Sequence, residues 1–353
     1  MKEGRPTPPR VSPETWQALL ERAVEYQRLA PWQWMTNYEV LGMHDAASGK
    51  IRFADVLGNA REVFGLVIYR GALGVRILLE TLWKPEDEHP LDLLFNMDAI
   101  KLEFVDRDEL RPEELALYKQ LRFKPALRQP LPWPSFQSFV PGYLPWFLDQ
   151  TEAELLLGDL GKVIRFAQLV RDTPDFYAGR KPNEVPFVPG DPRVEGPARA
   201  RDLTWHQLQA PQELPPEPFP AHGPQVLKLR AKGRQPNFAC ELDSFYLNNS
   251  VWDAERPYYT KVALLVDANT GYVYGFKLAG ANESLEQTVG DCLMQVLPQL
   301  ERLPESIILS SERLRLAMQP LAKALGTRVN VRSNLPMLKE ARKSMENYFR
   351  KGE

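Results

Sequence analysis

The sequence predicts two mixed domains: an α+β domain with an antiparallel sheet, then an α/β domain with a mixed five-stranded sheet. Strand-like runs and amphipathic helices occupy residues 12–172 and 226–353, and prolines crowd the stretch between them. The chain has 32 prolines in 353 residues, whereas an average composition gives about 18. We therefore interpret residues 173–225 as a Pro-rich linker and residues 1–11 as a flexible tail.

The first domain begins with a helix, marked by Ser12 as N-cap and Pro13 at the first helical position. Turn signals then separate three strand-like runs, which predict an antiparallel meander. A second helix, two more strands and two more helices complete an α+β pattern. The last helix is expected to start in a capping box of Thr151 and Glu154. The predicted strands are residues 38–43, 51–57, 64–69, 99–105 and 135–140.

Most of the linker is expected to be irregular, with one short ordered stretch at Leu203–Leu208. The segment Val226–Arg234 that follows it alternates cations with apolar residues. An extended backbone would place those cations on one face. Two interpretations stay open: a phosphate-contacting edge, or an edge strand that its charges keep soluble. The cations are Lys228, Arg230, Lys232 and Arg234.

The second domain starts with three strands and then alternates helices with strands. A tight turn at Asp267–Gly271 joins the second and third strands. This order predicts a mixed sheet with helices on both faces. The predicted strands are residues 238–247, 260–266, 272–278, 306–309 and 328–331, and the helices are 284–300, 314–325 and 336–348.

This order of elements resembles the ribonuclease-H-like superfamily, and within it the integrase and transposase catalytic cores. The resemblance implies carboxylates on the first strand, after the fourth strand and on a late helix, which hold two divalent cations for phosphodiester cleavage. Glu241 and Asp243 stand at the first position, and Glu340 is the candidate for the third. Ser310 and Ser311 stand at the second position, where a hydroxyl supplies no charge to Mg²⁺.

The whole chain is also similar to a group of uncharacterised bacterial two-domain proteins, built from domains of unknown function. This similarity supports the division into two domains and implies no mechanism. The stretches that carry it are Pro31–Met35, Tyr69–Gly71, Pro141–Phe147 and Leu265–Gly271.

Two aromatic clusters are candidate binding residues: Trp32 with Trp34, and Tyr143 with Trp146. Trp32 and Trp34 lie two positions apart, so an extended backbone would project both to the same face. One interpretation is a stacking platform for a base, a sugar or a Pro-rich peptide. The other is a pair of aromatic corners where elements enter and leave the core.

Composition excludes several classes of function. A net charge of −2 argues against a nucleic-acid coating protein. Cys240 and Cys292 stand in apolar contexts without zinc-ligand spacing, and we expect them to be buried thiols in a cytoplasmic protein. The sequence shows no apolar run of membrane-spanning length, so we expect no membrane partner. It also lacks a Gly-rich phosphate loop and a nucleophile elbow.

The sequence thus predicts a cytoplasmic, non-catalytic binding or scaffold protein with a degenerate ribonuclease-H-like domain, no cofactor, and a protein or nucleic-acid partner. This hypothesis predicts an exposed aromatic or basic groove. The alternative is a divergent metal-dependent nuclease or phosphotransferase that uses Asp243 and Glu340, with Asp243 as the ligand of Mg²⁺ or Mn²⁺. The alternative predicts divalent-ion binding that is lost in Asp243→Asn.

Overall fold

A computed structural model of the chain forms two compact units, each with its own sheet. Of the described residues, the first comprises those up to Pro141 and those from Pro145 to Pro211; the second comprises Gly142–Leu144 and those after Pro211. The structure describes residues 8–36, 38–44, 49–83, 95–125, 131–181, 183–188, 196, 199–209, 211, 215–252 and 255–350. Residues 1–7 of the predicted tail lie outside this part.

The first unit is built on a seven-stranded mixed sheet with the order β5-β4-β3-β2-β1-β6-β7. Its elements are α1 (Pro13–Leu29), β1 (Leu41–His44), β2 (Ile51–Leu57), β3 (Phe64–Arg70), α2 (Gly71–Trp83), β4 (Ala99–Val105), α3 (Pro112–Gln120), β5 (Trp133–Phe139), α4 (Gln150–Asp172), β6 (Glu184–Val188) and β7 (Thr204–Gln207).

The predicted antiparallel sheet and the predicted irregular linker both need correction. Strands β1 to β5 pair antiparallel, but β6 pairs parallel with β1 and β7 antiparallel with β6. Both strands come from the stretch that was predicted to be mainly a linker, and only β7 falls in the stretch expected to be ordered. Strand β6 is short and contains Pro186, so its composition hid the strand pattern.

Helices cover both faces of the first sheet. Residues of α1 and α4 share one apolar core with β1 to β5, and residues of α2 share a second core on the opposite face. The start of α4 lies earlier than predicted. Asp149 accepts a hydrogen bond from the Glu152 amide at 2.8 Å, and Glu152 accepts one from the Asp149 amide at 3.2 Å. The capping box is therefore Asp149 with Glu152, because this pair satisfies the free amides of the first turn.

The second unit has a five-stranded sheet with the order β10-β9-β8-β11-β12. Strand β9 is antiparallel to β8 and β10, whereas β11 is parallel to β8 and β12. The predicted mixed five-stranded sheet is confirmed. Its elements are α5 (Pro224–Ala231), β8 (Arg234–Val251), β9 (Tyr258–Asp267), β10 (Val273–Ala279), α6 (Leu285–Val296), β11 (Leu303–Leu309), α7 (Glu312–Leu325), β12 (Arg328–Val331) and α8 (Pro336–Arg350).

Two cores also flank the second sheet. Apolar residues of α5, α6 and α7 pack on the face that carries Cys240 and Leu242. Leu335 and Leu338 pack on the other face, against Phe245 and the apolar residues of β9. Cys240 and Cys292 are buried free thiols, as predicted. No helix in the described part of the chain has the length and apolarity that a bilayer span requires.

Candidate functional site

The predicted first-strand acids lie on β8, the central strand of the second sheet. Cys240 and Leu242 point into the core under α6 and α7. Because side chains alternate along a strand, Glu241 and Asp243 face the other side, where α8 packs. Strand β11 is in register with β8 through the pair Leu309 and Leu242. Ser310, the first residue after β11, therefore lies beside Asp243 at the end of the adjacent strand.

Glu241 is buried and already has a structural partner. Its side chain is 2 % exposed, and its Oε2 accepts a hydrogen bond from the amide of Leu338 at 2.8 Å. Leu338 lies in the first turn of α8, where backbone amides have no partner within the helix. The partial positive charge of a helix N-terminus favours a carboxylate at this position. Glu241 thus fixes the start of α8 on the sheet.

Asp243 lies near the surface in a different environment. It is half-buried, and its Oδ1 accepts a hydrogen bond from the amide of the next residue, Ser244, at 2.8 Å. Its neighbours Ser310 and Ser311 supply no carboxylate. Ser311 is the N-cap of α7, and its Oγ accepts a hydrogen bond from the Leu314 amide at 3.2 Å. A serine at this position is therefore explained by helix capping.

Glu340 is exposed on α8, while Leu338 and Ala341 face the sheet. The helix therefore turns Glu340 away from the side chain of Glu241. Among the described residues, no group of three or more His, Cys, Asp and Glu side chains is placed so that it could hold a metal ion.

The predicted aromatic clusters are packed into their units. Trp32 and Trp34 do not lie on an extended backbone, because Pro31–Gln33 forms a 3₁₀ turn. The Trp32 ring lies 5.4 Å from the ring of Phe64 and 5.8 Å from that of Tyr26, measured between centroids. The indole of Trp34 donates to the carbonyl of Ala167 at 3.2 Å. The shared face predicted for the two tryptophans is therefore wrong.

Tyr143 and Trp146 belong to different units. The Tyr143 hydroxyl donates to Oδ1 of Asn282 at 2.9 Å, within the second unit. Trp146 pairs its backbone with Ser138 in the first unit, and its ring lies 5.1 Å from that of Phe147.

The predicted basic strand at Val226–Arg234 is wrong, because residues 224–231 form α5. Pro224 at the first helical position, with Val226 and Leu229 buried three positions apart, favours a helix. The four cations are consequently divided. Lys228 and Arg230 are exposed on α5. Lys232 donates to the carbonyl of Pro298 at 2.6 Å, and Arg234 donates to that of Gly326.

The structure reveals a different cationic surface, which the sequence analysis missed. A cleft of about 520 Å³ opens between the end of α3 and the start of β5 in the first unit. We call it the basic aromatic groove, after the residues that line it: Arg107, Leu115, Ala116, Tyr118, Lys119, Arg122, Phe123, Lys124 and Trp133. The residues come from three separate elements, so no local motif marks them.

Two family models match the chain, one in each unit. A domain of unknown function, DUF7309, matches residues 16–187, and a second domain of unknown function, DUF6930, matches residues 225–346. The chain is therefore similar to two domains of unknown function joined in one protein. No curated protein and no solved structure matches it.

Proposed function

We propose that this chain is a non-catalytic, cytoplasmic binding protein whose second domain is a degenerate member of the ribonuclease-H-like superfamily. The fold assignment is supported by the strand order β10-β9-β8-β11-β12. It is also supported by the alternation of helices and strands after β10, since α6 precedes β11 and α7 joins the parallel strands β11 and β12. A cytoplasmic location is supported by the two free, buried cysteines.

The observation that carries the non-catalytic assignment is the hydrogen bond of Glu241 to the Leu338 amide at 2.8 Å. A carboxylate that binds a catalytic cation directs at least one oxygen toward that ion. Glu241 instead directs an oxygen into the interior, where it holds α8. Ser311, the residue after Ser310, caps α7. Two of the positions that the family uses for chemistry, Glu241 and Ser311, are therefore occupied by side chains with a structural purpose in this chain.

The test is a calorimetric titration of Mn²⁺ into the full chain, with wild type and Asp243→Asn measured side by side. We expect no saturable heat in either protein. Ser310→Asp is the positive control, because it places a second carboxylate beside Asp243, and weak Mn²⁺ binding is expected to appear in it. Saturable wild-type binding that disappears in Asp243→Asn would contradict the proposal and favour a metal-dependent nuclease or phosphotransferase.

A further inference from the structure

The basic aromatic groove combines positive charge with partly exposed aromatic surface. Among the described residues that line it, four are cations and none is acidic. Arg107, Lys119, Arg122 and Lys124 are all exposed, and none of them has an ion-pair partner among the described residues. Acidic side chains do occur nearby at Asp106, Asp108 and Glu109, but these do not line the groove. The groove is therefore suited to an anion.

The aromatic side of the groove is a packed cluster. The rings of Tyr118 and Trp133 are nearly parallel, with centroids 5.8 Å apart and planes at 17°. The Phe123 ring lies 5.3 Å from Tyr118 and 6.1 Å from Trp133. Tyr118 is held in place, since its hydroxyl donates a hydrogen bond to the Pro134 carbonyl. Phe123 and Trp133 are half-buried, so they present ring surface that is held in place before a ligand binds.

Arg122 is held in a backbone conformation that favours glycine. Its φ is 53°, in the left-handed region that costs energy for an L-residue with a side chain. The Phe123 amide donates to the Tyr118 carbonyl, and the Arg122 amide donates to that of Lys119. This pattern closes α3 in the manner of a Schellman motif, whose left-handed position is most often glycine. An arginine at this position carries a backbone cost that glycine would avoid, which motivates the hypothesis that its guanidinium has a use.

A purely structural explanation accounts for only some of the residues that line the basic aromatic groove. Cations near a helix C-terminus offset the macrodipole, and Lys119 and Arg122 lie at the end of α3. That explanation does not extend to Arg107, which lies in the 3₁₀ turn before α3. The rings of Phe123 and Trp133 do pack against the core of the first unit, and the ring surface that stays exposed lies beside the charges.

From this geometry we propose that the basic aromatic groove binds a nucleotide, with its phosphates on the cations and its base on Phe123 and Trp133. Arginine guanidinium groups and lysine ammonium groups bind phosphate oxygens through charge-assisted hydrogen bonds. Bases stack on aromatic side chains with little dependence on sequence. A volume of about 520 Å³ lies within the range of small-molecule sites. The inference rests on the proposed function, since it names the ligand class of a protein that binds without catalysis.

The same chemistry occurs in a free mononucleotide and in single-stranded nucleic acid, and the experiment separates these two sources. ATP, adenosine and tripolyphosphate are titrated calorimetrically into the full chain, and fluorescein-labelled dT12 is followed by anisotropy. Saturable binding of ATP, of dT12 or of both supports the proposal. ATP alone assigns a mononucleotide, and dT12 alone assigns a single strand. Tripolyphosphate and adenosine are each expected to bind at least about tenfold more weakly than ATP, because each lacks one of the two features.

Two variants test the groove itself. Lys119→Glu with Lys124→Glu is expected to weaken binding by about tenfold or more, and to lower the dependence of log affinity for dT12 on log salt by about 0.7 for each lost contact. Arg122→Gly is expected to weaken binding while it raises the melting temperature, because glycine relieves the left-handed conformation. A residue with a purely structural role would not separate affinity from stability in this way.

The matched control is Lys228→Glu with Arg230→Glu, which reverses two exposed cations on α5 and should change affinity by less than about twofold. Asp243→Asn should likewise leave binding unchanged, so that a failure of the non-catalytic assignment is distinguishable from a failure of the groove. Three results overturn the nucleotide proposal: no saturable binding of ATP or dT12, tripolyphosphate binding equal to that of ATP, or wild-type affinity in Lys119→Glu with Lys124→Glu.

Discussion

Each of the two sheets carries a buried carboxylate on its central strand, and the two carboxylates are stabilised very differently. Asp55 on β2 is 3 % exposed and Glu241 on β8 is 2 % exposed. Glu241 accepts a backbone hydrogen bond from the first turn of α8. Oδ1 of Asp55 has no hydrogen-bond partner among the described residues, and burial raises the pKa of Asp55 to about 8. Two equally buried carboxylates therefore differ in whether the fold supplies a hydrogen-bond donor.

The difference follows from what packs over each strand. The start of α8 brings free backbone amides to Glu241, and such amides replace the water that burial removes. Asp55 instead lies near Tyr26 and Tyr69. Burial first, and the nearby Asp55 second, raise the pKa of both phenols above the ordinary value. A carboxyl among buried phenols is more stable in its neutral form than as an anion.

A further buried acid, Asp159 of the first unit, extends the comparison. Its substitution has the largest expected effect on stability. Asp159, 1 % exposed, accepts two hydrogen bonds from Arg52 at 2.6 and 3.0 Å, and one from Lys162 at 3.3 Å. Asp159→Asn removes the carboxylate that accepts two hydrogen bonds from the buried Arg52, and we expect a loss of about 3–5 kcal/mol of unfolding free energy. Asp55→Asn removes no ion pair and is expected to cost far less at pH 8.

The costs of the two substitutions can be compared within the first unit alone. The measurement is urea unfolding, combined with hydrogen exchange at the amides of β2 and β3. Equal costs for the two substitutions would show that Asp55 is an anion with a partner, and would remove the contrast with Glu241.

The second prediction concerns pH and tests the raised pKa of Asp55 directly. The unfolded carboxyl loses its proton near pH 3.9, whereas the folded one keeps it until about pH 8. Between these values the unfolded state binds fewer protons, so stability falls as pH rises and levels off above the folded pKa. From pH 5 to pH 8 the loss is on the order of 3 kcal/mol. Asp55→Asn should abolish that loss.

The measurement is the unfolding free energy at pH 5 and pH 8 for wild type and Asp55→Asn. Asp108→Asn, which removes an exposed carboxylate, is the matched control and should keep the wild-type difference. A wild-type protein whose stability does not decrease across this range would contradict the assignment of a neutral Asp55.

The sequence was sufficient to predict the sheet of the second unit but not the environments of its acids. The hydrophobic periods and the turn at Asp267–Gly271 predicted every strand of this sheet, because each depends on local chemistry. Alternation along β8 placed Glu241 and Asp243 on one face. The partner of Glu241 is Leu338, 97 residues away, and only the packing of α8 brings the two together.

The errors have identifiable physical causes. Alternating cations predicted a strand at Val226–Arg234, but the proline at the helix start and the buried Val226 and Leu229 favoured α5. The prolines around β6 hid its strand pattern in the sequence. In the structure this short strand pairs with β1 and β7 and accommodates Pro186. The basic aromatic groove could not be predicted, since Arg107 and Trp133 lie far apart in sequence and become neighbours only when β5 pairs with β4.

The smallest predicted effect concerns Glu241 and tests whether this carboxylate stabilises the start of α8. If it does not, the contrast between Glu241 and Asp55 is lost. Glu241→Gln keeps an acceptor oxygen for the Leu338 amide, and we expect a loss of about 1 kcal/mol, the value of the charge–dipole interaction. Glu241→Ala leaves that amide buried and unpaired, and should cost about 2–3 kcal/mol. Hydrogen exchange at the amides of α8 should accelerate more in the alanine variant than in the glutamine variant. Equal exchange in both would mean that the hydrogen bond contributes nothing to α8, and the structural explanation for retaining this acid would fail.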